Sequence, residues 1–150
     1  MIRTVLVALD ASARAPGVLA AACSIAQRFG AVVVPLRAIA IPPDFPPAAH
    51  LTRGDPLPAY LLAVAKNELT SLLAATPSGV NVEPPRVRVG QPWRAILDEA
   101  DACDADLVVL GSHGYHGVDR ILGTTAAKVV NLSTRSVLVV RDTAGAGRLA

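Results

Sequence analysis

The stretch Gly111-Ser112-His113-Gly114-Tyr115-His116-Gly117, followed by Arg120 and then Gly123-Thr124-Thr125, holds the residues of this chain best suited to chemistry. Gly111, Gly114, Gly117 and Gly123 let a backbone take φ > 0 and come close to a ligand, while Ser112, Thr124 and Thr125 add hydroxyls. Immediately before it stands an apolar run, Ala105 to Leu110, and after it Thr124 to Leu132 carries Ala126, Val129, Val130 and Leu132 at helical spacing. Strand, glycine loop and helix start in that order suit an anion, because the first N–H groups of a helix have no partner inside it. Phosphate is the chemistry this pattern fits. The competing reading is a glycine-rich turn that only permits tight packing. A Walker loop is not present, since Lys128 lies a turn beyond Gly123-Thr124-Thr125.

A second group, Asp10-Ala11-Ser12, ends the apolar run that begins at Ile2. Asp10 can bind a ribose hydroxyl or a magnesium ion that accompanies phosphates, and Ser12 can donate to phosphate or cap a helix. His113 and His116 have no third ligand at metal spacing, so they read as loop histidines. Arg120 fits either a phosphate or solvent. Asp98 and Glu99 read as a wet helix face, and no general base is evident for turnover. Cys23 and Cys103 read as buried free thiols.

These loops need a frame. Ile2–Leu9 reads as a buried strand, and Pro16 opens a helix that Gly30 closes. Ala31–Ile39 is a second strand, where Pro35 implies an edge or bulge nearby. The proline-rich 41–58 segment reads as an irregular connection, residues 59–75 as a helix, and Val80–Val89 as a third strand. Pro92 opens a helix with Trp93, Ile96, Leu97 and Ala100 inward; Leu107–Leu110, Thr124–Leu132 and Ser136–Arg141 complete the series. Strands alternating with helices predict one doubly wound α/β domain with a mostly parallel five-stranded sheet, four helices and right-handed crossovers. Residues 1–142 form that domain, and 143–150 a loose tail. In such a sheet ligands lie beyond the carboxyl ends of the strands, where the loops after the first and fourth strands stand.

The chain has 150 residues, and its hydrophobic fraction of 52% with 3% aromatics predicts an aliphatic core between helices and sheet. A formal charge of +2 is too small to imply a nucleic-acid partner, and the scattered basic residues give no footprint for DNA, RNA or membrane, so neither partner is expected. The longest uncharged apolar stretch, Val18–Ala26, is too short for a bilayer, and a cytoplasmic, unexported protein is expected. The last strand, with Val137-Leu138-Val139-Val140, would leave a long apolar sheet edge, which predicts a homodimer through Ser136 to Arg141.

Over nearly its whole length the chain resembles the universal stress protein family. The pieces that carry the resemblance are Val5-Leu6-Val7-Ala8-Leu9-Asp10, Val89-Gly90-Gln91-Pro92, Asp106 to Gly114, and Ser136-Val137-Leu138-Val139-Val140. The resemblance implies an adenine nucleotide alpha hydrolase-like fold, a dimer and, in one branch, ATP bound without a catalytic triad. Asp10 would then lie near ribose or magnesium, and Ala38 near adenine through its backbone. Ser112, Gly114, Gly117, Gly123, Thr124 and Thr125 would lie near the phosphates, with Gly111 opening the motif. ATP-binding members resemble Gly-x2-Gly-x9-Gly-Ser/Thr, and only eight residues, 115–122, separate Gly114 from Gly123 here. One missing residue shifts the phosphate amides by up to ~3.5 Å. Three functions follow: a regulatory module that binds ATP or a related adenine nucleotide, a stress-linked dimeric interaction protein that does not, or a slow ATPase.

Overall fold

A computed structural model of the chain describes residues 1–40, 56–112 and 122–141. β1 (Thr4–Ala8), α1 (Ala15–Phe29), β2 (Val32–Ile39), α2 (Pro56–Leu73), β3 (Asn81–Val82) and β4 (Arg86–Val89) follow one another. Then come α3 (Pro92–Ala102), β5 (Leu107–Gly111), α4 (Thr124–Leu132) and β6 (Ser136–Val140). One sheet takes the order β3-β2-β1-β5-β6, with β4 also on β2, and these pairings are parallel. The doubly wound α/β fold predicted from the alternation is the fold observed.

Side chains of β1 alternate between two apolar layers, as the period of a strand requires. Val5 and Val7 pack with Val18, Leu19, Ala22, Cys23 and Ala26 of α1 and Leu69 of α2. Leu6 packs on the other face with Ile96 and Ala100 of α3 and with Ala126 and Val129 of α4. Burial on both faces explains why the strands read as unbroken apolar runs. Pro16 and Pro92 stand in the first turns of α1 and α3, and Gly30 closes α1 at φ 64. That left-handed cap is cheap only for glycine.

Three expectations are corrected. α2 begins at Pro56, three residues before the predicted start. The first N–H groups of a helix make no intrahelical bond, so Pro56 and Pro58 fit its first turn. The rest of the predicted connection, 41–55, lies outside the described residues, as does 142–150.

The third strand lies where expected, beside β2, but in two pieces, so the sheet counts six strands among the described residues. Pro84 and Pro85 remove two donors between β3 and β4. β2 answers them. Its Val33 carbonyl accepts from Glu83 N at 2.9 Å and its Ile39 carbonyl from Gly90 N at 2.8 Å, so odd-numbered residues address this side. Pro35 therefore turns its missing donor into the gap between the Val33–Val82 and Leu36–Arg86 pairs. The irregularity that Pro35 implied sits in the neighbouring strand, while β2 itself is interior.

Glu99 is not on a wet face. It is 3% exposed, and Arg86 and Arg88 of β4 both donate to its carboxylate, while Arg86 also binds Glu83. Burial pushes the Glu99 carboxyl up, but the two guanidinium hydrogen bonds and their charges outweigh it and hold it below the ordinary range. The pattern of α3 could not reveal this, because both partners come from a strand. Asp98, one residue earlier, does face solvent, 3.8 Å from Arg94. Cys23 is buried and Cys103 half-buried, and burial pushes both thiols up.

Candidate functional site

A cavity of about 550 Å³ opens at the carboxyl ends of β1, β2 and β5, within the range of small-molecule sites. The strands supply its floor through Ala8, Leu36, Ala38 and Leu110, and α3 supplies a wall through Pro92 and Ile96. Opposite stands the start of α4, with Gly123, Thr124 and Thr125, and Asp10 adds a carboxylate. No side chain caps α4, whose N-cap is Gly123 at φ −58 and ψ 159. The cavity thus joins an apolar floor to a rim of helix amides, hydroxyls and one acid. Lys128 of α4 places its Nζ 5.1 Å from the centre of the Trp93 ring, tying the two helices that flank it.

Of the residues predicted for the site, Asp10, Ala38, Gly111, Gly123, Thr124 and Thr125 line this one cavity. Ser12 and Ser112 line a small recess beside it with Asp10, Arg14 and Gly111. Ala11 lines neither. Gly114, Gly117, His113, His116 and Arg120 lie outside the described residues.

Ser12 does not cap α1, whose N-cap position is Arg14 with no side-chain capping hydrogen bond to the helix. Its amide and hydroxyl donate to Asp10 Oδ1 at 2.9 and 2.6 Å, and its Oγ accepts from Arg14 N at 3.3 Å. This is a local Asx-type turn that aims the acid. Arg14 Nη1 in turn donates to the Ser112 carbonyl at 2.6 Å, joining the loop after β1 to the loop after β5.

Neither described glycine of the loop uses a positive φ. Gly111 serves another need: a Cβ there would stand 3.0 Å from Val18 Cγ2 of α1. Gly111→Ala is expected to destabilise by about 1–3 kcal/mol through overpacking. Val18→Ala in the same chain should recover part of that loss, and urea unfolding of the four-member cycle measures the coupling. Strictly additive costs would show that this contact is not the cause.

Apart from Ala38, sequence reasoning missed the apolar part of the cavity. Leu36 was reachable, since it stands two residues before Ala38 on one face of β2. Pro92, Ile96 and Leu110 look like any core positions until the helices are placed. Arg37 was missed outright, inside a strand where a cation has no apparent business.

The universal stress protein family model matches residues 1–141. The chain belongs to the universal stress protein family. It is 32% identical over 144 residues to "Universal stress protein in QAH/OAS sulfhydrylase 3'region" of Thermus aquaticus, covering 94% of this chain and 100% of that one. It is 31% identical over 94 residues to universal stress protein A homolog 2 of Coxiella burnetii, where the match spans 63% of each chain. Among solved structures, it superposes on universal stress protein UspA from Lactobacillus plantarum with TM-score 0.75 and 29% identity, covering 93% of this chain and 98% of that one. A universal stress protein solved in complex with cAMP matches with TM-score 0.62 and 25% identity, over 93% of this chain and 97% of the other.

Proposed function

We propose that this universal stress protein is a regulatory module that binds ATP or a related adenine nucleotide without efficient turnover. One observation carries the reading: Asp10, Ala38 and the start of α4 come from three distant segments and line one cavity. The cavity stands where the chain reverses direction across the sheet, the usual ligand position of a doubly wound fold. Leu36, Ala38 and Ile96 give an adenine ring an apolar bed, and the α4 amides with Thr124 and Thr125 face the phosphates. The relative bound to cAMP supports an adenine nucleotide as the ligand class.

Among the described residues no three His, Cys, Asp or Glu side chains cluster to hold a metal. Asp10 alone suits magnesium that arrives with phosphates, since that ion takes one or two carboxylates and draws its other ligands from phosphate and water. Gly114, Gly117 and Ser112 belong to the same proposal. So does the homodimer through Ser136 to Arg141: among the described residues β6 ends the sheet, and Val137 to Val140 remain half-buried. Should no nucleotide bind, that edge favours a dimeric interaction protein. Among the described residues no helix is long and apolar enough to cross a membrane.

Thermal unfolding with and without Mg-ATP tests the reading, with Gly123→Arg as the blocked cavity. At a hundredfold excess over its dissociation constant, a ligand of the native state adds about 2.7 kcal/mol, a rise in midpoint of about 5–10 °C at this chain length. A rise in the parent and none in Gly123→Arg is the expected result. No rise at millimolar ATP rejects nucleotide binding.

A further inference from the structure

Arg37 is 7% exposed in an apolar strand, and its Nε has no hydrogen-bond partner among the described residues. Buried ion pairs replaced by apolar side chains are often neutral or stabilising, and Glu68 without Arg37 would be left in water rather than stranded, so the fold alone does not ask for this cation. Its two remaining nitrogens go to two different elements. Nη1 binds Glu68 of α2, and Nη2 donates to the Asp10 backbone carbonyl at 2.9 Å. From Asp10 the bonds continue through Ser12 to Arg14 and on to the Ser112 carbonyl, while Ser112 N donates to Val140 O at 3.0 Å. A continuous polar chain thus runs from α2 to the edge strand across the carboxyl end of the sheet.

We propose that Arg37 is a positioning residue for the Asp10 loop and that, through Glu68, it makes the placement of the Asp10 carboxylate depend on α2. Asp10 is held from two sides. Leu9 N extends the strand ladder to Leu36 O at 2.8 Å, and Arg37 fixes the next carbonyl along. Ser12 can aim the acid only if that turn stays in place. The Glu68 end of the chain is 55% exposed, so a change at the surface of α2 reaches the ligand loop through one guanidinium. The proposal deepens the nucleotide reading, yet its first readout needs no nucleotide.

The test is amide hydrogen exchange by NMR on the ligand-free chain carrying Arg37→Met. Protection of the Ser12 amide is expected to fall about tenfold, the scale of one lost hydrogen bond to a charged group. Ala22 in α1 and Val108 in β5 should keep their protection, with a thermal midpoint unchanged or raised. Unchanged Ser12 protection, or an equal fall at all three amides, overturns the positioning role. Glu68→Gln should lower Ser12 protection about threefold, since a charge-assisted bond becomes a neutral one. No fall there overturns the link to α2, and this surface variant decides the matter if Arg37→Met does not fold. Where the parent binds ATP, Arg37→Met is expected to raise the dissociation constant about tenfold; equal affinity would overturn the coupling to the site. If neither protein binds ATP while Ser12 protection falls, the nucleotide reading fails and the positioning role stands.

Discussion

Replacing both arginines that face Glu99, as Arg86→Met/Arg88→Met, is expected to cost about 3–5 kcal/mol at neutral pH, a fall in midpoint on the order of 10 °C. The loss does not come from the arginines, whose side chains are 35% and 41% exposed and reach water. It comes from the carboxylate they leave behind, which is 4% exposed and has no other ion-pair partner among the described residues. Adding Glu99→Leu should recover most of the stability, because an apolar replacement removes the stranded charge. A triple variant no more stable than the double would show that Glu99 is not the source.

The pH dependence has opposite signs in the two proteins. In the parent, the depressed Glu99 carboxyl contributes stability that is fully present above the ordinary carboxylate range and is lost as pH falls through its folded value. In the double variant burial is no longer opposed, so the folded value rises above the unfolded one. The penalty there grows as pH rises and vanishes in acid. The difference between the two should therefore narrow as pH falls through the variant's raised folded value, and be smaller at about pH 4, close to the unfolded carboxyl's ordinary range, than at pH 7. Chemical denaturation at pH 7 and pH 4 measures it; a gap that stays constant would exclude this ionisation as its cause.

Leu36→Ala carries the second large effect, about 2–5 kcal/mol and again on the order of 10 °C. Leu36 is 0% exposed, packs against the α3 side of the sheet and also floors the cavity. Truncation both removes buried methyl groups and enlarges a space already open on one side. Solvent or ligand can enter there, so the cost should lie below that of Leu6→Ala, which is sealed in the same layer. Leu132, 56% exposed on α4, serves as the control and should lose less than about 0.5 kcal/mol on truncation to Ala. A cost for Leu36→Ala equal to that of Leu132→Ala would show that this floor is not packed as described.

The elements most legible in the sequence are those with local punctuation. α1 is bracketed by Pro16 and Gly30, α3 opens on Pro92, and α4 spans the residues that its spacing predicts. The part of the site that was readable has the same character, since Asp10 follows an apolar run and Gly123-Thr124-Thr125 opens a helix. What stayed hidden depends on pairings distant in sequence. The division of the third strand needs Pro84 and Pro85 set against Pro35, some fifty residues earlier. Glu99 looks solvated until β4 brings Arg86 and Arg88 over it, and Arg37 has no meaning until Asp10 and Glu68 stand beside it. Gly111 is the instructive case. Its identity was legible but its reason was not, because the Val18 methyl that crowds a Cβ there belongs to α1, distant in sequence.

The place of β1 at the middle of the sheet has a consequence for how the chain is made. Val5 pairs with Leu107, so β1 waits during synthesis for a neighbour about one hundred residues behind it. At about 5–20 residues per second, that interval is roughly 5–20 s. Throughout it, β2 can cover one side of Val5-Leu6-Val7 while the other backbone edge and the α3 and α4 face stay open. Pairings this distant also slow the search for the native state once synthesis ends. The nascent chain therefore carries β1 with one backbone edge unpaired until β5 emerges.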